Sequence, residues 1–597
     1  MKLLDLDGVI EKGMFEIPSY QRGYAWQEEQ LKDFWNDLEH VSKLGDKFHY
    51  MHSLTLRGLE NELEDSAFEI IDGQQRLATS LILLGLLAKI TQNKDPKYDS
   101  MNLEPVLSYK YYGLSEAFRA IMEEEKDLEI FQTSFYAKNL IDAYAFFKEK
   151  ISNTPVGTLE KMFDALIKKM LFSVVGLNDN RIDPFSSFET INNRGKDLST
   201  LELLKNRLHF VAHKICDEED LENLQQEIND TYTIIYHDLR QFEDAHLESF
   251  LKHFVAYYYG ENSKFKERLL NTAFDAHKKY DDLYDEYEKI DDLLFYLSYS
   301  SKVWHFLHTL DDEELRIEIT PKMRDLLDKM RRLNALSENA FLPLLLSLLT
   351  IQLAVRSGSE RHYTTKELED LLEYLERFGF LIYGVAGKNT AKNEWIGLAF
   401  KAIQACRFWG DKITIEDLPT LEKSFFNRQG NSGLELLEEN IHSKKNTEKW
   451  YKWGKALNYL LYEYELYHNP ETTLNFDSSI ESIEHILPQK PDQGYSAKEK
   501  SWAKNPHIVH ALGNLLLISK NANSSLSNKP FDEKRKAYLK GSYSEKEVAK
   551  NASFGIVEIQ ERSEKLLDFL IARYRIAELV GENAIKAFKN ALLKEIK

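Results

Sequence analysis

The fourteen residues LATSLILLGLLAKI (77–90) carry one charge, Lys89, and only Thr79 and Ser80 as further polar side chains. A helix that is apolar all round has to be enclosed by other elements, and this one is too short to cross a bilayer. A second run, FLPLLLSLLTIQLAV (341–355), reads the same way. Both are expected as buried helices, and no membrane is implied. At 597 residues the chain exceeds what one hydrophobic core serves, so about two to four domains are expected. Cys216 and Cys406 lie far apart and form no CxxC pair. Neither a disulfide framework nor a Cys-built zinc site is expected, and the cytoplasm is the natural compartment. The opening MKLLDLDGVIEKGMFEIP carries acids where a signal peptide needs an unbroken apolar stretch.

The pattern changes along the chain. Residues 1–210 mix strand-like runs (FHYMHSLTLRG, SAFEIID, MLFSVVGL) with helical stretches such as EEQLKDFWNDLEHV, an α+β pattern. Residues 211–430 show apolar side chains at three- and four-residue spacing and read as a helical bridging region without chemistry of its own. Residues 431–597 open with helices. They continue through two strand-like runs, SIESIEHIL and ALGNLLLIS, into KNANSSLSNKPFDEKRKAYLK, read as a loop leading into a helix. The fold expected is multidomain and mainly α.

A net charge of −20 argues against a nucleic-acid binder, because phosphate binding is largely electrostatic. The total hides a local reversal: residues 485–550 hold twelve Lys or Arg against six Asp or Glu, a balance of +6. Glu484-His485 sits at the edge of this basic stretch. Hydrolysis of a phosphodiester needs a base to deprotonate water, which histidine suits. It also needs a cation, which carboxylate and amide oxygens hold. On a strand, Glu484 and His485 leave by opposite faces. Asn514 and Asn523, nine residues apart, could return one amide to the histidine and place the other at a metal.

Three segments stand out near the N-terminus: FEIPSYQRGYAW (15–26), FEIIDGQQRLATS (68–80) and FETINNRGKDLSTLELLKNRL (188–208). In the middle one a strand ends at Asp72-Gly73, and Gln74-Gln75-Arg76 opens the apolar helix. Such an N-terminus favours an anionic phosphate, and Arg76 adds a planar donor fork. Asp72 could hold a metal ion or a water; equally, Asp72 could cap the helix and Arg76 form a surface ion pair. No P-loop motif occurs. Tyr20, Tyr24 and Trp26 could stack on a base or line a cavity that tests a DNA modification, or pack against LKDFWNDL.

Residues 479–540 resemble the His-Me finger (HNH) nuclease fold, and more closely the C-terminal nuclease domain of the GmrSD-type modification-dependent restriction enzymes. The resemblance rests on EHI-x-P-Q, GNL and N-K-x-F, carried here by Glu484 to Gln489, Gly513 to Leu515, and Asn528, Lys529 and Phe531 with Lys534 and Tyr538. It implies His485 as general base and Asn514 orienting its imidazole. Glu484 and Asn523, with Asn528 as alternative, become Mg²⁺ or Mn²⁺ ligands, and Lys529 and Lys534 phosphate contacts. The third member of the HNH pattern is an Asn here instead of a His. The three N-terminal segments resemble the ParB-like domain that fronts the same enzymes and handles nucleoside triphosphates. That implies a nucleotide site of Asp72, Gly73, Gln74, Gln75 and Arg76, completed by Gln21, Arg22, Asn193, Arg194 and Gly195. GTP, UTP, ATP and CTP all remain open. The domains so implied are 1–210 (nucleotide-hydrolysing sensor), 211–430 (bridge) and 431–597 (nuclease, with a ββα core at about 479–540). The implied function is a nucleotide-regulated, modification-dependent endonuclease of anti-phage defence acting on double-stranded, modified phage DNA, with a homodimer as one way to cut both strands. The other reading is a nucleotide-gated DNA sensor with an inactive nuclease fold inside a larger defence complex.

Overall fold

The structure is a computed structural model that describes the chain apart from residues 1, 59–66, 92–94, 111, 178–184, 186–197, 243, 262, 276–277, 281–282, 314, 316, 355–362, 409, 473, 475–480, 492 and 597. Two compact units divide it, Met1–Leu315 and Arg316–Lys597.

In the first unit the strand-like runs form a mixed six-stranded sheet. Its strands are β1 (Lys2–Leu4), β2 (Met14–Ile17), β3 (His49–Gly58), β4 (Ala67–Asp72), β5 (Leu107–Tyr109) and β6 (Met170–Gly176), in the order β1-β6-β3-β4-β2-β5. β3 pairs antiparallel with β4, and β4 pairs parallel with β2. The apolar run becomes the helix Gln74–Ile90, which leaves β4 through Gly73 at φ +102°. Its leucines 77, 81, 83, 84 and 87 are fully buried against the helices Phe135–Ser152 and Val156–Lys168. Burying each such side chain contributes roughly 1.5–3 kcal/mol, so this helix anchors the unit. Beyond the sheet the unit continues as helices, among them Thr200–Ile215, Glu218–Asp238, Asp244–Tyr259 and Leu283–Thr309.

The second unit is helical, and its apolar run forms the buried helix Leu342–Leu353. Buried Glu376 is held by the hydroxyls of Tyr459 (2.8 Å) and Tyr574 (3.1 Å) and by Arg573 (3.2 Å). Two strands, β7 (Glu481–His485) and β8 (Leu515–Ser519), pair antiparallel with His485 opposite Leu515. Ile486, Leu516, Ile518, Tyr538 and Ile559 gather into the core around them. The sequence expectation of a loop after β8 is corrected. Lys520–Leu526 is a helix, started by the Ser519 hydroxyl accepting from Ala522 N, and a second helix follows at Phe531–Tyr538. No described helix is long and apolar enough to cross a membrane.

Candidate functional site

Strand alternation sends Glu484 and His485 to opposite sides of β7. On one side Glu484 is buried and its Oε1 accepts from Lys534 Nζ at 2.5 Å and from the Tyr538 hydroxyl at 3.1 Å. Lys534 is enclosed as well and also donates to the carbonyls of His485 (2.9 Å) and Ile486 (3.3 Å). Burial raises the Glu484 carboxyl and lowers the Lys534 ammonium, each opposed by its partner. Lys534, expected as a phosphate contact, has its ammonium enclosed and engaged here, and Glu484, expected as a metal ligand, is paired with it.

On the other side His485 Nε2 lies 3.0 Å from His510 Nδ1, while Gln489 Nε2 approaches His485 Nδ1 at 3.4 Å. The Tyr451 ring covers both imidazoles, at 4.9 and 5.8 Å between centroids. Burial, with His510 and Lys534 adding to it, pushes the His485 imidazole from 6.5 down to about 3. The ring is therefore neutral at pH 7 and keeps a lone pair. Burial also lowers His510, against the pull of Glu448. His510 is the partner that sequence reading missed.

Asn514 holds something else. Its Oδ1 accepts from Leu487 N (2.7 Å), and its Nδ2 donates to the carbonyls of Leu487 (2.9 Å) and Val509 (2.7 Å). The expectation that it orients the imidazole directly is thus corrected: both ends of its amide fasten the turn after β7. The preceding Gly513 is required by close approach, since a Cβ there would lie 2.0 Å from the Ile559 carbonyl oxygen. Asn523 donates to Ser482 Oγ (2.8 Å) and the Ile483 carbonyl (3.2 Å), tying the new helix to β7. Asn528 is partly buried and Lys529 is exposed. No three His, Cys, Asp or Glu side chains gather as a metal site among the described residues. With Glu484 engaged, these residues do not assemble the carboxylate-based divalent site that the sequence suggested.

In the first unit the first two sequence segments are laced together. Gln75 donates to the Gly23 carbonyl (2.9 Å) and accepts from Ala25 N (2.9 Å), and Gln74 donates to the Arg22 carbonyl (3.0 Å). Gln21 donates to the carbonyls of Ile70 and Ile71. These glutamines, expected as nucleotide contacts, clamp the neighbouring backbone here, and Oε1 of Gln21 and of Gln74 has no partner among the described residues. Gly73 is needed for the turn, as a Cβ would meet the Ser53 carbonyl oxygen at 2.9 Å. Arg76 pairs with Asp72 (3.0 Å) and donates to the Ser53 carbonyl (2.7 Å), and Ser53 Oγ donates to Asp72 (2.9 Å). Tyr20 and Tyr24 are buried, bonded to Glu69 (3.0 Å) and Thr79 (2.7 Å), so they are core residues rather than stacking platforms for a base. Trp26 stays partly accessible beside Phe34. Asn193, Arg194 and Gly195 lie outside the described residues.

Arg22 differs from its neighbours. It is 7% exposed, and its buried Nε has no hydrogen-bond partner among the described residues. It lines a cavity of about 290 Å³ together with Lys138, Arg240, Glu202, Glu248, Phe135, Phe242 and Leu198-Ser199 of the third segment.

Comparison with known families joins these two regions. The family model described as GmrSD restriction endonuclease, N-terminal domain, matches residues 3–209. That of the GmrSD restriction endonucleases, C-terminal domain, matches residues 437–569. Together they cover more than half of the chain, and no curated protein matches it. The first match contains the laced segments and Arg22, and the second contains the β7–β8 pair with His485 and His510. The chain belongs to the GmrSD restriction endonuclease family.

Proposed function

We propose that the protein is a cytoplasmic, modification-dependent DNA endonuclease in which a His-Me-finger-like ββα unit, β7, β8 and the helix Lys520–Leu526, carries the hydrolytic base. The observation that carries this reading is the buried His485–His510 pair inside the nuclease-domain match. With His485 Nε2–H donating to His510 Nδ1, the lone pair lies on His485 Nδ1, where it accepts from Gln489 Nε2 at 3.4 Å until the attacking water takes that place. That nitrogen takes the proton of the attacking water. As the water oxygen bonds to phosphorus, the bond from phosphorus to the leaving 3′-oxygen breaks and that oxygen takes a proton from solvent, giving 5′-phosphate and 3′-hydroxyl ends. A conjugate acid near 3 makes a weak base, but an arriving phosphodiester anion raises it, because a nearby negative charge favours imidazolium. A divalent cation such as Mg²⁺ or Mn²⁺ would stabilise charge on the phosphorane and the leaving oxygen, and the chelator titration below reads whether the reaction needs it. Nucleotide binding by the N-terminal domain gates the cut, and modified phage DNA is the substrate.

Cleavage of a panel of modified phage DNAs, with Mg²⁺ or Mn²⁺ supplied, tests it. Wild type should cut at least one, and His485→Ala should lose at least about 100-fold in rate, the usual contribution of a general base. Wild type cutting none of them would favour the sensor with an inactive nuclease fold. A chelator titration of the same reaction reads the cation requirement.

A further inference from the structure

The turn Lys449–Trp453 is a short 3₁₀ helix, entered and left through left-handed backbone, with Lys449 at φ +49° and Gly454 at φ +61°. A lysine in that region is strained, and such residues persist only where the surroundings over-determine them. Asn446 does so here: its buried Nδ2 donates to the carbonyls of Asn440 (3.0 Å) and Lys449 (3.1 Å). Side chains three apart eclipse in a 3₁₀ helix, so Trp450 and Trp453 share one face. Both are buried, with ring centroids 5.4 Å apart, and the Trp453 indole N–H donates to the Gly384 carbonyl at 3.0 Å.

Anchoring the two tryptophans turns Tyr451 the other way, onto the His485 and His510 rings. A phenol packed in this manner usually gives its hydroxyl a partner. Tyr451 stays partly accessible instead, and its hydroxyl has no hydrogen-bond partner among the described residues. Lys452 and Lys455 are exposed on the same turn and outnumber its one acid, Glu448, so the approach suits an anion. A water activated by His485 lies about 3 Å from the imidazole, and its oxygen about 3–3.5 Å from the phosphorus it attacks. The scissile phosphate thus stands at about the depth of the Tyr451 ring, whose centroid is 4.9 Å from that of His485.

We infer that Tyr451 is a further catalytic residue of the nuclease, its hydroxyl donating to a non-bridging oxygen of the scissile phosphate as charge builds there. The phenol keeps its proton throughout, and its ring shields the two imidazoles from bulk water. The inference rests on the endonuclease reading above and adds to it a substrate contact from outside the ββα unit.

The test compares wild type, Tyr451→Phe and Tyr451→Leu as full chains on a modified phage DNA that wild type cuts, reading kcat, KM and melting temperature. Tyr451→Phe keeps the ring and removes only the hydroxyl. It should melt with wild type and lower kcat by about 100-fold, as losing one preorganised donor to developing charge does, with KM little changed. Full rate in Tyr451→Phe with loss in Tyr451→Leu would make the ring mere cover and overturn the inference. A raised KM at unchanged kcat would overturn it too, because the hydroxyl would then bind DNA alike before and during the reaction. So would a kcat loss in Tyr451→Phe accompanied by a lowered melting temperature, which marks a structural hydroxyl. Each of these leaves the endonuclease reading standing, whereas wild type cutting no modified DNA overturns that reading and the inference together.

Discussion

At the scale of single residues, His485 couples chemistry to stability, and the sign can be worked out. Its imidazole is held near 3 in the folded protein against 6.5 in its absence. Between those values the unfolded chain binds a proton that the folded one refuses, so stability rises with pH across the window and levels off above about 7. The slope from one such group reaches about 1.4 kcal/mol per pH unit. His253, held near 4 by burial, adds a similar slope, so the measurement is a difference: urea midpoints of wild type and His485→Gln at pH 5.0 and 7.5. Wild type should lose more stability on acidification than the variant; equal losses would contradict the burial of the imidazole. His485 itself was legible in the sequence, because EHI-x-P-Q places it. His510 was not. It lies 25 residues away, within NPHIVHALGN, and becomes a partner only through the pairing of β7 with β8. Arg22 was legible as part of a motif, but its place beside the carboxylates of Glu202 and Glu248 was not, since that depends on how helices distant in sequence pack.

At the scale of elements, the strands and apolar helices were readable because period and composition agree there. The runs named for β3, β4, β6, β7 and β8 all become strands, and both apolar runs become enclosed helices. The helix Lys520–Leu526 was misread because Ser and Asn favour turns as readily as helix interiors, and its cap, Ser519, lies within the strand-like run. Local reading also did not show the Glu484–Lys534 pair: the resemblance implied metal and phosphate roles, and the fold joins the two as an internal strut. A strut makes a distinct prediction. Removing one partner leaves a buried charge alone and costs about 3–5 kcal/mol, whereas replacing both with apolar groups of similar size is close to neutral. Glu484→Gln and Lys534→Met should each lower the urea midpoint sharply, and Glu484→Leu combined with Lys534→Met should recover most of the loss and retain DNA cleavage. A double variant that is stable but inactive would restore the ligand and phosphate roles.

At the scale of the whole molecule, the charge distribution sets the terms on which DNA is met. A chain of net charge −20 repels a polyanion at long range and disfavours indiscriminate contact, so productive binding has to rely on the locally basic stretch 485–550. With Lys534 enclosed, Lys529 is the expected phosphate contact that remains exposed; its backbone is fixed by the Tyr495 hydroxyl donating to its carbonyl at 2.6 Å. Each phosphate neutralised adds about 0.9 to the slope of log binding constant against log salt, so the number of contacts can be counted by titration. In the His485→Ala background, which removes cutting from the measurement, Lys529→Ala should weaken binding to modified DNA and reduce that slope by about 0.9. Lys534→Met combined with Glu484→Leu should leave the slope unchanged, because an enclosed ammonium releases no counterions. A slope that falls for Lys534 and not for Lys529 would mean that DNA binding opens the strut, and that the face of β7 carrying Glu484, rather than the one carrying His485, meets the backbone.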